Sequence, residues 1–430
     1  MGLDTTTFAN LLKTQFAGPA KSVFEEGATS FNRVLKGNKK LWKGGNISIP
    51  VRTKRNWGGG ASADGRTLPT ASYNQSQLYS VDPKVYYWPV QVSIPAVLRS
   101  QGGKGAAYVE AAADEMEHAL EMLNKRLNQN FWWGEKGYIG KTTGAASGDT
   151  LTLYAPGVAP GTNAIGQGYN NGVRFLFGGE GQQVDAIDSN GTTIHNAGLT
   201  VLSVNRTTNV VTFTTTPSAS IAAGDFLAFK SGLTTSDSWG AESIEGIMPA
   251  IDDGTFRTTY HGLSRSTYPI LNSVVLTSTS LRDLTEPMLE DLLKSIMVNC
   301  GEMPSGSSHE FTISPSLHSA FVATQMPLKR YAGKQLSAGY SGIDYNGIKF
   351  WVDPDHPFET LFCFDWSDIE LHAIDGPDWA DEDGLPPLIR TGTTDEMRGY
   401  LRYYAEQALL APARAGSLRY LNDTPYVLRG

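Results

Sequence analysis

Between Lys104 and Phe131, apolar residues return every three or four positions: Val109, Ala112, Met116, Ala119, Leu120, Leu123, Leu127 and Phe131. That spacing predicts one long helix with a single apolar face, roughly 40 Å long at ~1.5 Å per residue. The positions between are acidic at first (Glu110, Asp114, Glu115, Glu117, Glu121) and basic at the end (Lys125, Arg126), the polarity a helix dipole favours. Before it lies a glycine-rich, polar stretch, Gly44 to Ser100. Residues 46–56 and 78–94 alternate like strands around the turn-forming tip Trp57–Thr70. Pro50, Pro83, Pro89 and Pro95 suit free strand edges. The pattern predicts a long β-hairpin whose content is too polar to fold on itself, and which therefore lies on another copy of the same chain.

The remaining pattern is mixed. Residues 1–43 predict one or two short helices broken at Gly18-Pro19. From Gly140 to Lys230, strand-like runs at 150–154, 173–177, 182–187, 199–204, 209–215 and 225–229 alternate with turns, which predicts a small all-β barrel or sandwich inserted into the chain. A helix is expected at 285–299, with Pro287 in its first turn. Then follow a strand at 309–314, a helix at 315–326, strands at 347–352 and 360–373, and strands near 387–391 and 399–404. The class is α+β, in 430 residues that suffice for two or three domains. Expected segments are 1–45 (arm), 46–100 (hairpin loop), 101–139 (long helix), 140–235 (β insertion), 236–300, 301–384 and 385–430.

Charge sharpens this picture. The net charge is −8, yet residues 1–60 carry ten Lys/Arg against three acids, while Asp353 to Asp383 holds eleven acids and no Lys or Arg. The basic part could bind nucleic acid or dock on an acidic part of a neighbouring copy; overall acidity argues against a dedicated nucleic-acid binder. Two cysteines, Cys300 and Cys363, are too few for a disulfide framework, which makes a reducing compartment the expectation. No apolar run is long enough to span a bilayer, so no membrane partner is expected.

Candidate chemistry is sparse. None of the GxSxG, HExxH, P-loop or GxGxxG-helix motifs occurs. Asp353-Pro354-Asp355-His356 with Glu359 has the donors of a metal corner, though Asp-Pro is equally turn chemistry. Ser314 and Ser316 near His318 suggest a nucleophile, but no orienting acid is identifiable. Tryptophans cluster at segment junctions, including Trp132 and Trp133, as interface residues do.

Three stretches together resemble the major capsid (coat) proteins of tailed bacteriophages, a fold shared with encapsulin shells and the herpesvirus capsid floor. They are Gly45–Gly134, with its Phe131-Trp132-Trp133-Gly134 ending; Gly246-Ile247-Met248 through Tyr260-His261-Gly262-Leu263-Ser264-Arg265 to Pro269; and Tyr345-Asn346-Gly347-Ile348-Lys349-Phe350-Trp351-Val352-Asp353-Pro354 with Leu361–Phe364. The resemblance implies an N-terminal arm, an extended hairpin loop, a spine helix in a peripheral domain, and a central axial domain. Asp353-Pro354 then becomes a turn between axial strands. It also implies a non-enzymatic shell protein without cofactor or metal, enclosing dsDNA in a virion capsid assembled in host cytoplasm. Its partners are itself (hexamers and pentamers), a separate scaffolding protein, a portal protein, the packaged DNA and a decoration protein. Inter-subunit contacts are expected from Arg52, Lys54, Arg55, Trp57, Asp64, Arg66, Tyr86, Tyr87 and Trp88, with Asp353–Asp383 of a neighbour as one acidic acceptor. Lys54 is the nearest match to the lysine through which some members cross-link, but no motif fixes that role. The alternatives are an encapsulin-like cargo shell and a phage tail or surface β-protein binding carbohydrate through residues 140–235.

Overall fold

A computed structural model describes residues 29–37, 39–41, 47–61, 64, 70, 72–95, 111–133, 138–154, 173–176, 179–189, 193–229, 243–255, 257–329, 344–374, 378–379, 389–390 and 395–423. The chain divides into two compact units, and among the described residues it passes between them at 85/86, at 126/127, between 374 and 378, and at 403/404.

In the smaller unit, the strand Lys84–Ser93 pairs with the long strand Glu396–Leu409. Two short strands also pair with Glu396–Leu409: Asp378 lies opposite Arg402, and Ile389 opposite Arg398. The first part of helix α2 (Ala111–Trp133) packs here. Its Ala119 joins Val90 and Val92 in a small apolar cluster bordered by Trp88, Trp379 and Met397. The expected helical face also included Leu120, which is instead 40% exposed.

The larger unit contains a mixed six-stranded sheet in the order Val274–Leu276, Gly416–Arg419, Thr360–Asp365, His309–Ile313, Ile348–Val352, Asp344–Tyr345. Leu289, Leu292, Leu293 and Ile296 of helix α3 (Glu286–Cys300) and Leu317 and Phe321 of helix α4 (Pro315–Lys329) share one core with the sheet's Phe311, Ile313, Leu361, Cys363 and Leu418. A Cβ on Gly416 would lie 2.8 Å from Leu292 and 2.9 Å from Ile296, so a glycine lets helix and strand meet directly. The single strand expected over 360–373 is two, Thr360–Asp365 and Ile369–Ala373, in different sheets. Asp365 caps the 3-10 turn between them by accepting from the Ser367 amide, and the chain turns there.

The inserted region forms a six-stranded antiparallel sheet in the order Tyr138–Lys141, Phe226–Phe229, Gln183–Ile187, Ile194–Asn205, Val210–Phe213, Thr150–Thr152. A further bridge joins Thr142 to Leu153, with Tyr154 N–H donating to the Lys141 carbonyl at 2.8 Å. First and last strands therefore touch, and the sheet closes on itself as a barrel. Alternate residues fill it, among them Ile139, Leu151, Val184, Ala186, Leu199, Val201, Val211, Phe213 and Leu227. The strand expected at 173–177 is a 3-10 turn, Arg174–Leu176. Its period of three sends Val173 and Leu176 together into the barrel core, where strand alternation would have separated them.

Polar and aromatic groups fasten helix α1 (Thr29–Gly37) to the carboxyl-terminal end of α2. Asn128 accepts from the Phe31 amide at 3.0 Å and donates to Asp355 at 2.8 Å and Asp353 at 3.4 Å. Ser30 donates to Asp353 and accepts from the Trp351 indole at 2.9 Å. One turn on, the Arg33 guanidinium lies 4.5 Å from the Trp351 ring centroid and 4.3 Å from that of Trp366, and it grips Glu310 with two bonds of 2.6 and 3.0 Å. Trp132 and Trp133, expected at an interface, are buried: Trp132 stacks on Phe362 and meets His356 edge-on. Replacing Asn128 with Ala would strip a buried amide and two buried carboxylates of a partner. A loss of about 2–3 kcal/mol is expected in urea unfolding, whereas Asn128→Asp would fail further by adding a third carboxylate.

Candidate inter-subunit surface

The hairpin strands Ile47–Lys54 and Gln75–Val81 pair antiparallel with Ile47 opposite Val81, Ile49 opposite Tyr79 and Pro50 opposite Leu78. Directly opposed residues share a face, so alternation gives the hairpin two different sides. One side holds Ile47, Ile49, Val51, Tyr79 and Val81, with Tyr79 and Val81 fully buried. The other side holds Ser48, Pro50, Arg52, Lys54, Ser76 and Leu78, all exposed. The second strand, expected to run unbroken over 78–94, stops at Asp82-Pro83. The chain there leaves the hairpin, and Lys84–Ser93 enters a separate sheet. Proline's missing donor ends the ladder at that point.

The root is fixed. The Ser80 amide donates to the His261 carbonyl at 3.0 Å, and the Tyr79 ring meets Tyr260 edge-on at 5.5 Å. His261 and Gly262 take positive φ (42° and 82°) to make the turn between Thr259–Tyr260 and Leu263–Ser264. Beneath it Arg265, almost wholly buried, donates to the carbonyls of Asp252 (2.6 Å), Leu271 (2.6 Å), Ala250 (2.7 Å) and Pro249 (3.2 Å), with the Tyr260 ring 5.0 Å away. Burial, helped by the charge of Arg257, pushes the His261 imidazole down to about 3, so it is neutral. Burial also lifts the carboxyls of Glu245 and Glu406 above the usual range; Glu406 accepts from the Glu245 amide at 2.6 Å and the Gln407 amide at 2.9 Å.

The tip is open. Asn56 N–H donates to Asn74 at 2.8 Å, and Gly58 N–H to Asn56 at 2.9 Å. A Cβ on Gly58 would sit 2.6 Å from the Ser72 amide, so the neck closes only around glycine. Trp57 is 80% exposed, Tyr73 68% and Leu78 57%. Lys54 rests over the Tyr73 ring at 5.0 Å. Arg52, Lys54, Arg55, Trp57 and Asp64 are thus gathered, exposed, on one tip; Arg66 lies outside the described residues. Tyr86, Tyr87 and Trp88 belong to the other unit's sheet, where Tyr87 is half exposed and Trp88 borders the core. Tyr73 and Leu78 were not anticipated. Leu78 had a signal in the sequence, since it is an apolar side chain adjacent to Tyr79 and so on the other strand face; Tyr73 precedes the strand.

Part of the acidic run is spent inside the subunit; Asp378 is exposed, and residues 375 and 381–383 lie outside the described residues. Asp353, Asp355, Glu359 and Asp365 are buried, and Asp368 and Glu370 already pair with Arg414 and Lys40. Folding spends those acids inside the subunit, so Asp353–Asp383 does not offer eleven charges to a neighbour. Asp353 and Asp355 receive Asn128, Ser30 and the Asp355 amide. Among the described residues no group of three or more His, Cys, Asp or Glu is placed to hold a metal. Ser314 and Ser316 both donate to Asp423, and Ser314 also accepts from the Leu317 amide at 3.2 Å, which makes the pair the cap of α4.

No family model matches the sequence, and no curated protein matches it. Solved structures do. A chain of the cyanophage A-1(L) capsid asymmetric unit matches with a TM-score of 0.54 at 13% identity, over 98% of this chain and 100% of that one. The chain has the tailed-phage capsid fold. Chains from the capsids of empty and native GTA particles also match, with TM-scores of 0.54 and 0.51 at 7% and 9% identity, over 96% of each chain.

The buried carboxyl of Glu406 has a testable consequence. Its folded-state pKa is raised, so the folded chain keeps a proton that the unfolded chain sheds. Stability is therefore full below the ordinary carboxylate range and falls as pH rises through it. Glu406→Gln keeps the acceptor oxygen and has no proton to lose. Thermal midpoints measured from pH 4 to 9 should fall less steeply in this variant, leaving it the more stable form at the alkaline end.

Proposed function

We propose that this chain is a major capsid protein that assembles with copies of itself, as hexamers and pentamers, into an icosahedral shell around dsDNA. One observation carries the reading: the likeness to the cyanophage A-1(L) capsid chain runs over essentially the whole of both chains, so the full architecture is matched, not one module. The hairpin supports it independently. Its root is bonded into the subunit while its tip holds three cations and a bare tryptophan outward. An arm of that kind stabilises nothing within its own chain, but gains on a neighbour, since a well-buried aromatic is worth roughly 2–3 kcal/mol. Weak contacts suffice where each subunit makes several in a closed shell.

Under this reading residues 1–45 serve as an arm, 46–100 as the extended loop, 101–139 as the spine helix, and the α3/α4 sheet as the axial domain. The barrel is an added domain and the natural place for a decoration protein. A separate scaffolding protein and a portal are further partners, and DNA meets the inner face through salt-sensitive, sequence-blind phosphate contacts. Assembly in host cytoplasm belongs to the same proposal, and no catalytic role is assigned.

Negative-stain electron microscopy of the purified protein, alone and co-expressed with a candidate scaffold, checks it. Closed shells built of hexamers and pentamers are expected. Shells loaded with a packaged enzyme would favour a cargo compartment instead. A monomer under every condition, with binding to polysaccharide by residues 140–235, would overturn the shell reading.

A further inference from the structure

The serines first expected as nucleophiles, Ser314 and Ser316, are spent as the cap of α4. A hydroxyl paired with an imidazole occurs instead a few residues earlier, where the chain enters the strand His309–Ile313. Ser308 Oγ lies 2.7 Å from His309 Nδ1, and the other ring nitrogen, Nε2, lies 3.2 Å from the carbonyl oxygen of Arg414. A carbonyl can only accept, so Nε2 carries the hydrogen, and in the neutral ring Nδ1 keeps a bare lone pair. Ser308 therefore donates to His309. Its other acceptor, the Ser305 carbonyl at 3.4 Å, is too distant to compete.

The surroundings suit a proton transfer in that direction. Burial pushes the His309 imidazole below its ordinary range, so the ring is neutral at pH 7. The charge of Arg414 opposes an imidazolium, whereas the carboxylates of Glu302 and of Asp365, directly opposite His309 in the sheet, favour it. His309 is 3% exposed, while Ser308 is half-buried at the rim of the exposed loop 305–307. That loop is held in place. The Ser308 and His309 amides donate to the Ser305 carbonyl at 3.1 and 2.8 Å, and a Cβ on Gly306 would overlap the Gly347 carbonyl. A reachable hydroxyl, a base within hydrogen-bond distance and a third group that orients the base together make an activated nucleophile.

We propose that Ser308 is a nucleophile that takes an acyl group from a small activated ester, with His309 as its base. As Oγ attacks the ester carbonyl carbon, an O–C bond forms and the hydroxyl proton passes to Nδ1. The bond to the leaving alkoxide then breaks, and the alkoxide takes that proton and departs as an alcohol. Nothing is oxidised or reduced, and the product is an O-acyl serine on the surface of the larger unit. The proposal stands apart from the shell reading, and neither depends on the other.

The test uses p-nitrophenyl acetate as probe and peptide mass spectrometry to locate the acetyl group. Acetylation of Ser308 is expected to run roughly a hundredfold faster than that of Ser307, the assistance a positioned base gives. Its rate should be level between pH 7.5 and 9, where His309 is already deprotonated. An unassisted hydroxyl would instead speed up about tenfold per pH unit as its alkoxide fraction grows. Acetylation of Ser308 no faster than Ser307, or a rate that climbs without a plateau, would overturn the proposal on the wild-type protein alone. His309→Asn, where it keeps the wild-type thermal midpoint, should bring Ser308 down to the rate of Ser307. Fast acetylation retained in that folded variant would remove His309 from its role.

Discussion

The rest of the larger unit hangs on the carboxamide of Asn128. This side chain sits at the buried end of α2 and faces both an amide of α1 and two carboxylates of the Asp353 turn. Only a group that accepts on one side and donates on the other can serve both. The aromatic wall of Phe131, Trp132, Trp366 and Phe362 closes over the same place, excluding water, so each bond matters more than it would at a surface. Around that point the helix end, the N-terminal helix and the central sheet become one body.

A fixed body is what makes the hairpin useful. Arg265 ties four backbone carbonyls beneath the hairpin's root, and Tyr79 is wedged between Tyr260 and His261. The neutral imidazole, and carboxyls whose pKa burial raises, limit uncompensated charge in this dry zone. Tip chemistry is thereby separated from root chemistry along about 25 Å of ladder, as eight residues at ~3.3 Å each imply.

Much of this was legible in the sequence. Alternation located the hairpin strands and most of the barrel, and the 3.6-residue period located α2 and α3, because each pattern is local. What escaped depended on distant partners. Trp132 and Trp133 looked like interface residues, yet Trp132 packs on Phe362 and His356, more than two hundred positions away, and Trp133 on Phe175. The charges of 353–383 looked like one patch because a one-dimensional run cannot show that Asn128, Ser30 and Arg414 engage several of them. Leu120 fitted the apolar period of α2, yet around that position the helix buries only Ala119 and, one turn on, Leu123. The order of motifs carried the fold where no single motif could.

The barrel's two ends lie side by side. It is entered on Tyr138–Lys141 and left on Phe226–Phe229, and these two strands are paired neighbours, with Gly140 opposite Leu227. Adjacent strands lie about 5 Å apart, so the main chain departs and returns through the same doorway. A module attached in this way can be lengthened, exchanged or lost without shifting the ends of the body it grows from. The subunit thus carries a ready grafting point, at which foreign sequence could be displayed many times over on whatever the copies build.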